Sequence, residues 1–371
     1  MRFLILLLLS VLVFAPNAAQ STQTFTDDLG VRYTVERYLT ANYPVALAFA
    51  PDERLFYTEK NTGSVRVVSV DGEQHREPVI NLPTSNLAER GMLGIAFDPA
   101  YEDNGFIWIT HIREATERDF AAFQVVRFVE ADGTGSDPEI MLSIPLENNA
   151  LIHHGGNLRF DDEGRLYLSV GDQEDAANSQ DLTTVQGAIL RFEVTDDGLI
   201  PAGAEDDNPV FAYGFRNPYD FDIDPLTDNL VRIFSTENGE NCDDEINMVL
   251  RGFNYGAGPD YTCGGTAAGI DLSFYQPPLL SYTPTEAPTG LVVYDHEAVP
   301  EWVGAGFFCT WNSSALRRIT LNDGRNQIDD IVDLNLGDGT CRIDVAIGPE
   351  GGLYTATVGE DGGAIWRILP D

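Results

Sequence analysis

Hydrophobic positions along the chain fall into short runs, each closed by an acidic, proline or glycine turn and followed by a second apolar run. The unit recurs as Ala46–Tyr57, Gly94–Ile109, Asn157–Leu168 and Asp220–Pro225, then as a degenerate copy from Gly290–Tyr294 to Gly306–Phe308, and last as Asp344–Tyr354. Runs that alternate read as half-buried strands, and runs that are apolar throughout read as fully buried ones. Several copies continue into a third strand, at Ser64–Val68, Gly187–Phe192, Ala315–Thr320 and Ala364–Ile368. Helical periodicity is almost absent. Six copies at intervals of about 50 to 70 residues predict an all-β fold, a six-bladed β-propeller of four-stranded antiparallel blades. A pair of β-sandwiches is the alternative, but sandwiches do not need a repeated unit. Closure is expected to pair Val31–Val35 with the last blade, which makes residues 20–371 one propeller domain without a linker. The irregular stretches Gln173–Thr184 and Gly239–Pro288 then become loops on a face of the disc, where function concentrates.

The start of the chain follows a different pattern. Arg2 precedes an apolar run from Phe3 to Phe14, and small residues follow up to Gln20. This is the layout of a secretory signal peptide over residues 1–19, cleaved near Ala19. The run is short for a bilayer span, and no later stretch is long enough for one, so membrane insertion is not expected. The expected location is secreted or periplasmic. In an oxidising compartment the four cysteines suggest disulfides, with three pairings possible. Cys242–Cys263, closing one loop-rich segment, and Cys309–Cys341, joining two neighbouring repeats, are favoured. A cysteine zinc site lacks its Cys-x-x-Cys pair.

Charge removes further classes. Lys+Arg number 22 against 59 Asp+Glu, a net charge of −37, and Lys60 is the only lysine. Nucleic acid is excluded as a partner because phosphate binding needs a basic stripe. An anionic membrane surface is repelled for the same reason. Hydrophobic residues at 43% are enough for a real core, so the acidity does not signal disorder. Most of it reads as a solvated surface, with a few carboxylates free to collect around calcium.

Three constellations could carry chemistry. His153 and His154 stand at a Gly155–Gly156 turn before the third repeat, and Asp172 ends the strand that folds back beside them. A neutral imidazole is a good base near pH 7, and a carboxylate beside it fixes its tautomer. The same pair could be a structural hydrogen bond. Arg216 and Asn217, before Pro218, hold the equivalent place in the fourth repeat; the guanidinium fork suits a carboxylate or a quinone oxygen, or an ordinary ion pair. Glu237–Asn247 packs five carboxylates into eleven residues, ahead of Asn254, Tyr255 and Gly256. Carboxylate and carbonyl oxygens suit calcium, although this is no EF-hand, and a solvated acidic loop is the other reading. Nucleophile elbows, zincin helices and phosphate loops are missing.

Glu89–Phe97, His153–Leu158, Gly171-Asp172, Gly214–Pro218, Asp243–Asn247 and Gly252–Gly256 follow one another in an order that resembles the glucose/sorbosone dehydrogenase family. That resemblance runs from about Tyr43 to the C-terminus. It implies a soluble six-bladed propeller that oxidises aldose sugars to lactones with pyrroloquinoline quinone (PQQ) and calcium, passing electrons to an external acceptor. His153 matches the general base and Asp172 its orienting carboxylate. Arg216 and Asn217 match the pair at the quinone oxygens, and Glu89 a polar side chain near sugar and cofactor. The carbonyls of Gly239 and Glu240 match those holding the cofactor's calcium, while Glu245 and the Tyr255 carbonyl match a structural calcium site.

The chain departs from the family where PQQ carboxylates meet cations. Asn312 stands at the position of a lysine, and in the stretch Gly339–Ile343 before Asp344, Cys341 and Ile343 stand where the family has two arginines, leaving Arg342 as its one arginine. With Cys309 and Cys341 beside these positions, a disulfide is expected to fill part of the carboxylate pocket. Two other functions therefore stand beside the dehydrogenase: a cofactor-free propeller that binds carbohydrate or a partner, and a calcium-dependent propeller lactonase.

Overall fold

A computed structural model describes residues 22–146, 148–196, 198–205, 207–227, 231–359 and 362–371. The expected signal peptide lies outside the described residues. Six antiparallel sheets form a ring. Their innermost strands are Pro44–Phe49, Met92–Phe97, Leu158–Phe160, Pro218–Ile223, Pro288–Val293 and Asp344–Ile347. Each packs beside the next, and the last beside the first. We number the blades 1 to 6 in that order.

The pattern of burial follows from this arrangement. A middle strand is covered on both faces by the neighbouring blades, so it is buried at every position, as in Leu55–Glu59, Leu166–Val170, Ile233–Glu237 and Gly306–Thr310. The outermost strand of blade 5, Ile328–Asp333, is mostly exposed. The core is accordingly divided into clusters between adjacent blades. Tyr167, Ile189 and Phe211 of blade 3 pack on Phe221, Ile233 and Val249 of blade 4, all at most 1% exposed. Each such side chain contributes about 1.5–3 kcal/mol by leaving water.

Polar side chains then stitch one blade to the next. The Leu291 N–H donates to Asp220 Oδ2 at 2.8 Å, and the Leu47 N–H donates to Asp344 Oδ2 at 2.7 Å across the closure. Thr236 Oγ1 donates to the Thr289 carbonyl at 2.7 Å. Inner-strand N–H groups that face the adjacent blade are thereby satisfied, as buried donors require.

The ring closes as expected but over a longer strand. Arg32–Ala41 pairs with Gly362–Pro370, with Val35 opposite Ile368. Two sheets exceed four strands. Gln23–Thr26 adds a fifth to blade 6 through Arg32, Tyr33, Thr34 and Val35, and Val210–Tyr213 adds one to blade 3 through Ala188–Leu190.

Both favoured disulfides are present, with Cα separations of 5.8 Å for Cys242–Cys263 and 4.9 Å for Cys309–Cys341. The second corrects one expectation. Cys309 and Cys341 are fully buried in the apolar cluster between blades 5 and 6, together with Leu316, Val345 and Leu353, and do not fill a polar pocket. No helix of the described residues is long and apolar enough to cross a membrane.

Candidate active site

Loops on blades 2, 3 and 4 converge at one end of the ring. His153 adopts φ +60° at the glycine turn, a left-handed conformation that costs strain in a residue with a Cβ. It persists because the neighbouring chain holds it. The Gln173 N–H donates to the His153 carbonyl at 3.2 Å, and the His153 N–H donates to Glu89 Oε2 at 2.7 Å. A Cβ at Gly171 would lie 2.2 Å from the His153 carbonyl oxygen. Only glycine therefore lets these segments approach so closely.

That approach brings His153 Nδ1 to 2.7 Å from Asp172 Oδ1. Both side chains are buried, at 10% and 5% exposure. With Nδ1 carrying the proton toward the carboxylate, Nε2 keeps its lone pair for a substrate. Asp172 is fixed in turn, since its N–H donates to the Arg216 carbonyl at 2.7 Å and its Oδ1 accepts from the Glu174 N–H at 2.9 Å. Arg216 Nη1 donates to the carbonyls of Asn238 and Gly239 at 2.8 and 3.0 Å. The N–H groups of Arg216 and Asn217 both donate to Glu237 Oε1, at 2.7 and 3.0 Å. Asn217 Oδ1 accepts from the Gly155 N–H at 3.2 Å.

Two adjoining cavities share Ile152, His153, Arg216, Gly239 and Glu240 on their walls. The narrower, about 350 Å³, is also lined by Asp172, Glu174, Glu237, Asp243, Glu245 and Tyr255. The wider, about 450 Å³, takes in Glu89 and Asn217, with Lys60, His154, Trp311 and Asn312. Every residue expected at the site therefore lines one of two connected spaces. Asn312 and Ile343 line the wider one, whereas Cys309 and Cys341 do not.

The narrower cavity is a carboxylate cage. Glu237 and Glu245 stand opposite each other on paired strands. Burial pushes the Glu237 carboxyl well above the usual range, helped by the Glu245 charge. Burial raises Glu245 to about 7. Glu237 Oε2 and Asn247 Oδ1 are buried without a hydrogen-bond partner among the described residues. Unspent oxygens beside like charges suit a hard cation such as calcium. Glu237, Glu245 and the loop bearing Tyr255 fit that group, and Gly239, whose carbonyl also accepts from Arg216, stands beside them. Asp243 is already spent: burial raises its carboxyl, but donors from Gly264, Tyr261, Ser281 and Thr283 together hold it lower than normal. Tyr255 contributes no hydroxyl, since its ring stacks on Phe215 at 4.6 Å and its O–H donates to the Met248 carbonyl.

Sequence reasoning missed two residues. Glu237 opens the acidic run that suits calcium but has no part of its own in the family resemblance; it ends an all-buried strand, which is the signal that its carboxylate is inside. Lys60 was noted only as the sole lysine. His154 also lines the wider cavity, but burial first, and then the nearby Arg90, lower its pKa to about 3. So weak a base is a poor proton acceptor near pH 7.

The fold and site together define a propeller with a His–Asp pair opening onto a carboxylate cage. Residues 41–367 match the glucose/sorbosone dehydrogenase family, and the chain belongs to that family of oxidoreductases. It is similar to the aldose sugar dehydrogenase of Escherichia coli, 25% identical over 350 residues that cover 89% of this chain and 90% of the relative. Quinoprotein glucose dehydrogenase B of Acinetobacter calcoaceticus is 25% identical over 251 residues, 58% of this chain and half of that protein. The PQQ-bound structure of an aldose sugar dehydrogenase from Streptomyces coelicolor shares the fold, with a TM-score of 0.75 at 24% identity, covering 96% of this chain and all of that one.

Proposed function

We propose that this protein is an exported sugar dehydrogenase that oxidises an aldose at its anomeric carbon to the lactone, using PQQ and calcium. The observation that carries this reading is the His153–Asp172 pair, with His153 on the wall common to both cavities beside Arg216 and Asp172 reaching it from the narrower one. His153 Nε2 takes the proton of the anomeric hydroxyl. Asp172 holds the imidazole in the tautomer that can accept it, and stabilises the imidazolium that forms. Glu89, fixed to the His153 backbone, offers an acceptor to the sugar's hydroxyl groups. PQQ, when bound beside calcium, supplies the two-electron acceptor for the hydride that leaves the anomeric carbon. Arg216, Asn217 and the carbonyls of Gly239 and Glu240 would hold that end of the site; Glu245, Glu237 and the Tyr255 carbonyl would hold a second, structural calcium. The Arg216 guanidinium favours negative charge developing on the acceptor oxygens.

Residues 20–371 form one propeller domain in this reading, released from a signal peptide ending near Ala19, and reduce an external electron acceptor. The test is reconstitution. Purified protein supplied with PQQ and calcium is expected to reduce a dye in the presence of an aldose, and His153→Ala to abolish this with the fold intact. Equal turnover by the variant contradicts His153 as the base. A cofactor-free, carbohydrate-binding propeller is favoured by one observation, that Asn312 and Ile343 line the wider cavity where cations are expected; failure to bind PQQ would support it.

A further inference from the structure

We infer that the Lys60 ammonium receives a carboxylate of the quinone cofactor, taking the part of the cations missing at Asn312 and Ile343. This rests on the quinoprotein reading above.

Lys60 is the only lysine in a chain of net charge −37, yet it is 7% exposed and lines the wider cavity. A lone surface cation in so acidic a protein would sit among carboxylates in water. This one is placed inside. Its N–H donates to the Tyr43 carbonyl at 3.0 Å, and its carbonyl accepts from the Met92 N–H at 3.2 Å. The aliphatic stem passes over Gly91, where a Cβ would fall 2.3 Å from Lys60 Cγ. Blade 1 and the start of blade 2 thus form a groove that fixes the stem. The head is less committed: Nζ meets Asn61 Oδ1 at 3.3 Å and lies 5.2 Å from the centre of the Tyr43 ring.

Arg216, a further cation lining the cavity, is assigned to the quinone oxygens, with its Nη1 bonded to two carbonyls, and so is not free for a carboxylate of the cofactor. Glu89, Glu240 and Asp244 line the cavity as well, so an anionic ligand needs a compensating charge there. Burial lowers the Lys60 pKa, with Glu89 acting against it. A desolvated ammonium is a group that gains from an arriving anion. Position also agrees. Blade 1 follows blade 6 in the ring, and Ile343 and Asn312 of blades 6 and 5 line the same cavity as Lys60. Lys60 thus offers its charge one blade further round the ring.

Binding, not turnover, tests this. PQQ would be titrated with calcium into wild type, Lys60→Met and Lys60→Gln at low and high salt, following quinone absorbance and protein fluorescence, with thermal melting as the fold control. Loss of one charge-assisted contact is expected to weaken PQQ about 10- to 100-fold in either folded variant, with a smaller difference at high salt. Lys60→Arg should recover most of the affinity. PQQ trimethyl ester, which lacks the charges, should bind wild type and variants alike. Equal PQQ affinities across the series overturn the role of Lys60 and leave the quinoprotein reading standing. If wild type itself binds no PQQ, that reading falls, and the inference with it.

Discussion

Glu237 and Glu245 stand directly opposite each other on the antiparallel strands Ile233–Glu237 and Asp244–Val249, both buried. Like charges so placed destabilise a sheet. One Glu237 oxygen is bound by two backbone N–H groups and the other has no partner among the described residues. A cation between the strands turns this repulsion into attraction.

The first prediction is a reversal of sign. With chelator present, Glu245→Gln should melt higher than wild type, because the repulsion between the two carboxylates is gone. With calcium it should melt lower, because an anionic ligand is lost and calcium no longer stabilises the fold as strongly. Melting curves in both conditions decide it. If calcium shifts both proteins equally, Glu245 is no ligand.

Acid should weaken the fold through two histidines. Burial lowers His111 to about 4 and His154 to about 3, from the ordinary 6.5. Above about pH 6.5 each is neutral whether folded or not. Below it the unfolded chain takes up protons that the fold refuses, so stability falls as the pH drops toward those values. The loss approaches about 1.4 kcal/mol per pH unit for each group. His111→Gln should therefore lose less stability between pH 6.5 and 4.5 than wild type, measured by urea unfolding. Parallel curves would contradict the assignment.

Asp172→Asn should keep the fold and impair chemistry. The amide can donate to Nδ1, which favours the tautomer with its proton on the substrate side. A loss of about two to four decades in kcat is expected, with sugar KM changed little. A change confined to KM would make Asp172 a sugar contact.

The Cys309–Cys341 pair spans 32 residues inside the core. Opening such a loop costs roughly 3–4 kcal/mol. The double alanine variant should melt lower but bind PQQ as wild type does, because neither cysteine lines the cavity. Weaker cofactor binding in the folded variant would bring the disulfide back to the site.

The blades were legible because a middle strand, covered on both faces, must be apolar at almost every position, as Leu166–Val170 is. Gln23–Thr26 was not, since a short edge strand with alternating burial leaves little pattern. His153, Asp172 and Arg216 were legible because glycine and proline turns mark where strands end and side chains can gather. Glu237 and Lys60 do not stand out individually, since a buried run shows that a position is inside but not whether it faces a cavity or the core. Asn312 and Ile343 line the cavity as expected, but Cys309 and Cys341, near them in sequence, turn away into the apolar cluster, a choice made by packing.

The account is tested most directly by equilibrating the purified protein with PQQ and calcium, removing free cofactor, and recording the quinone spectrum before and after an aldose is added. It predicts a bound oxidised spectrum that is reduced on addition of sugar, with reduction slowed by at least about two decades in His153→Ala. Bound quinone that sugar does not reduce, or no bound quinone at all, would contradict it.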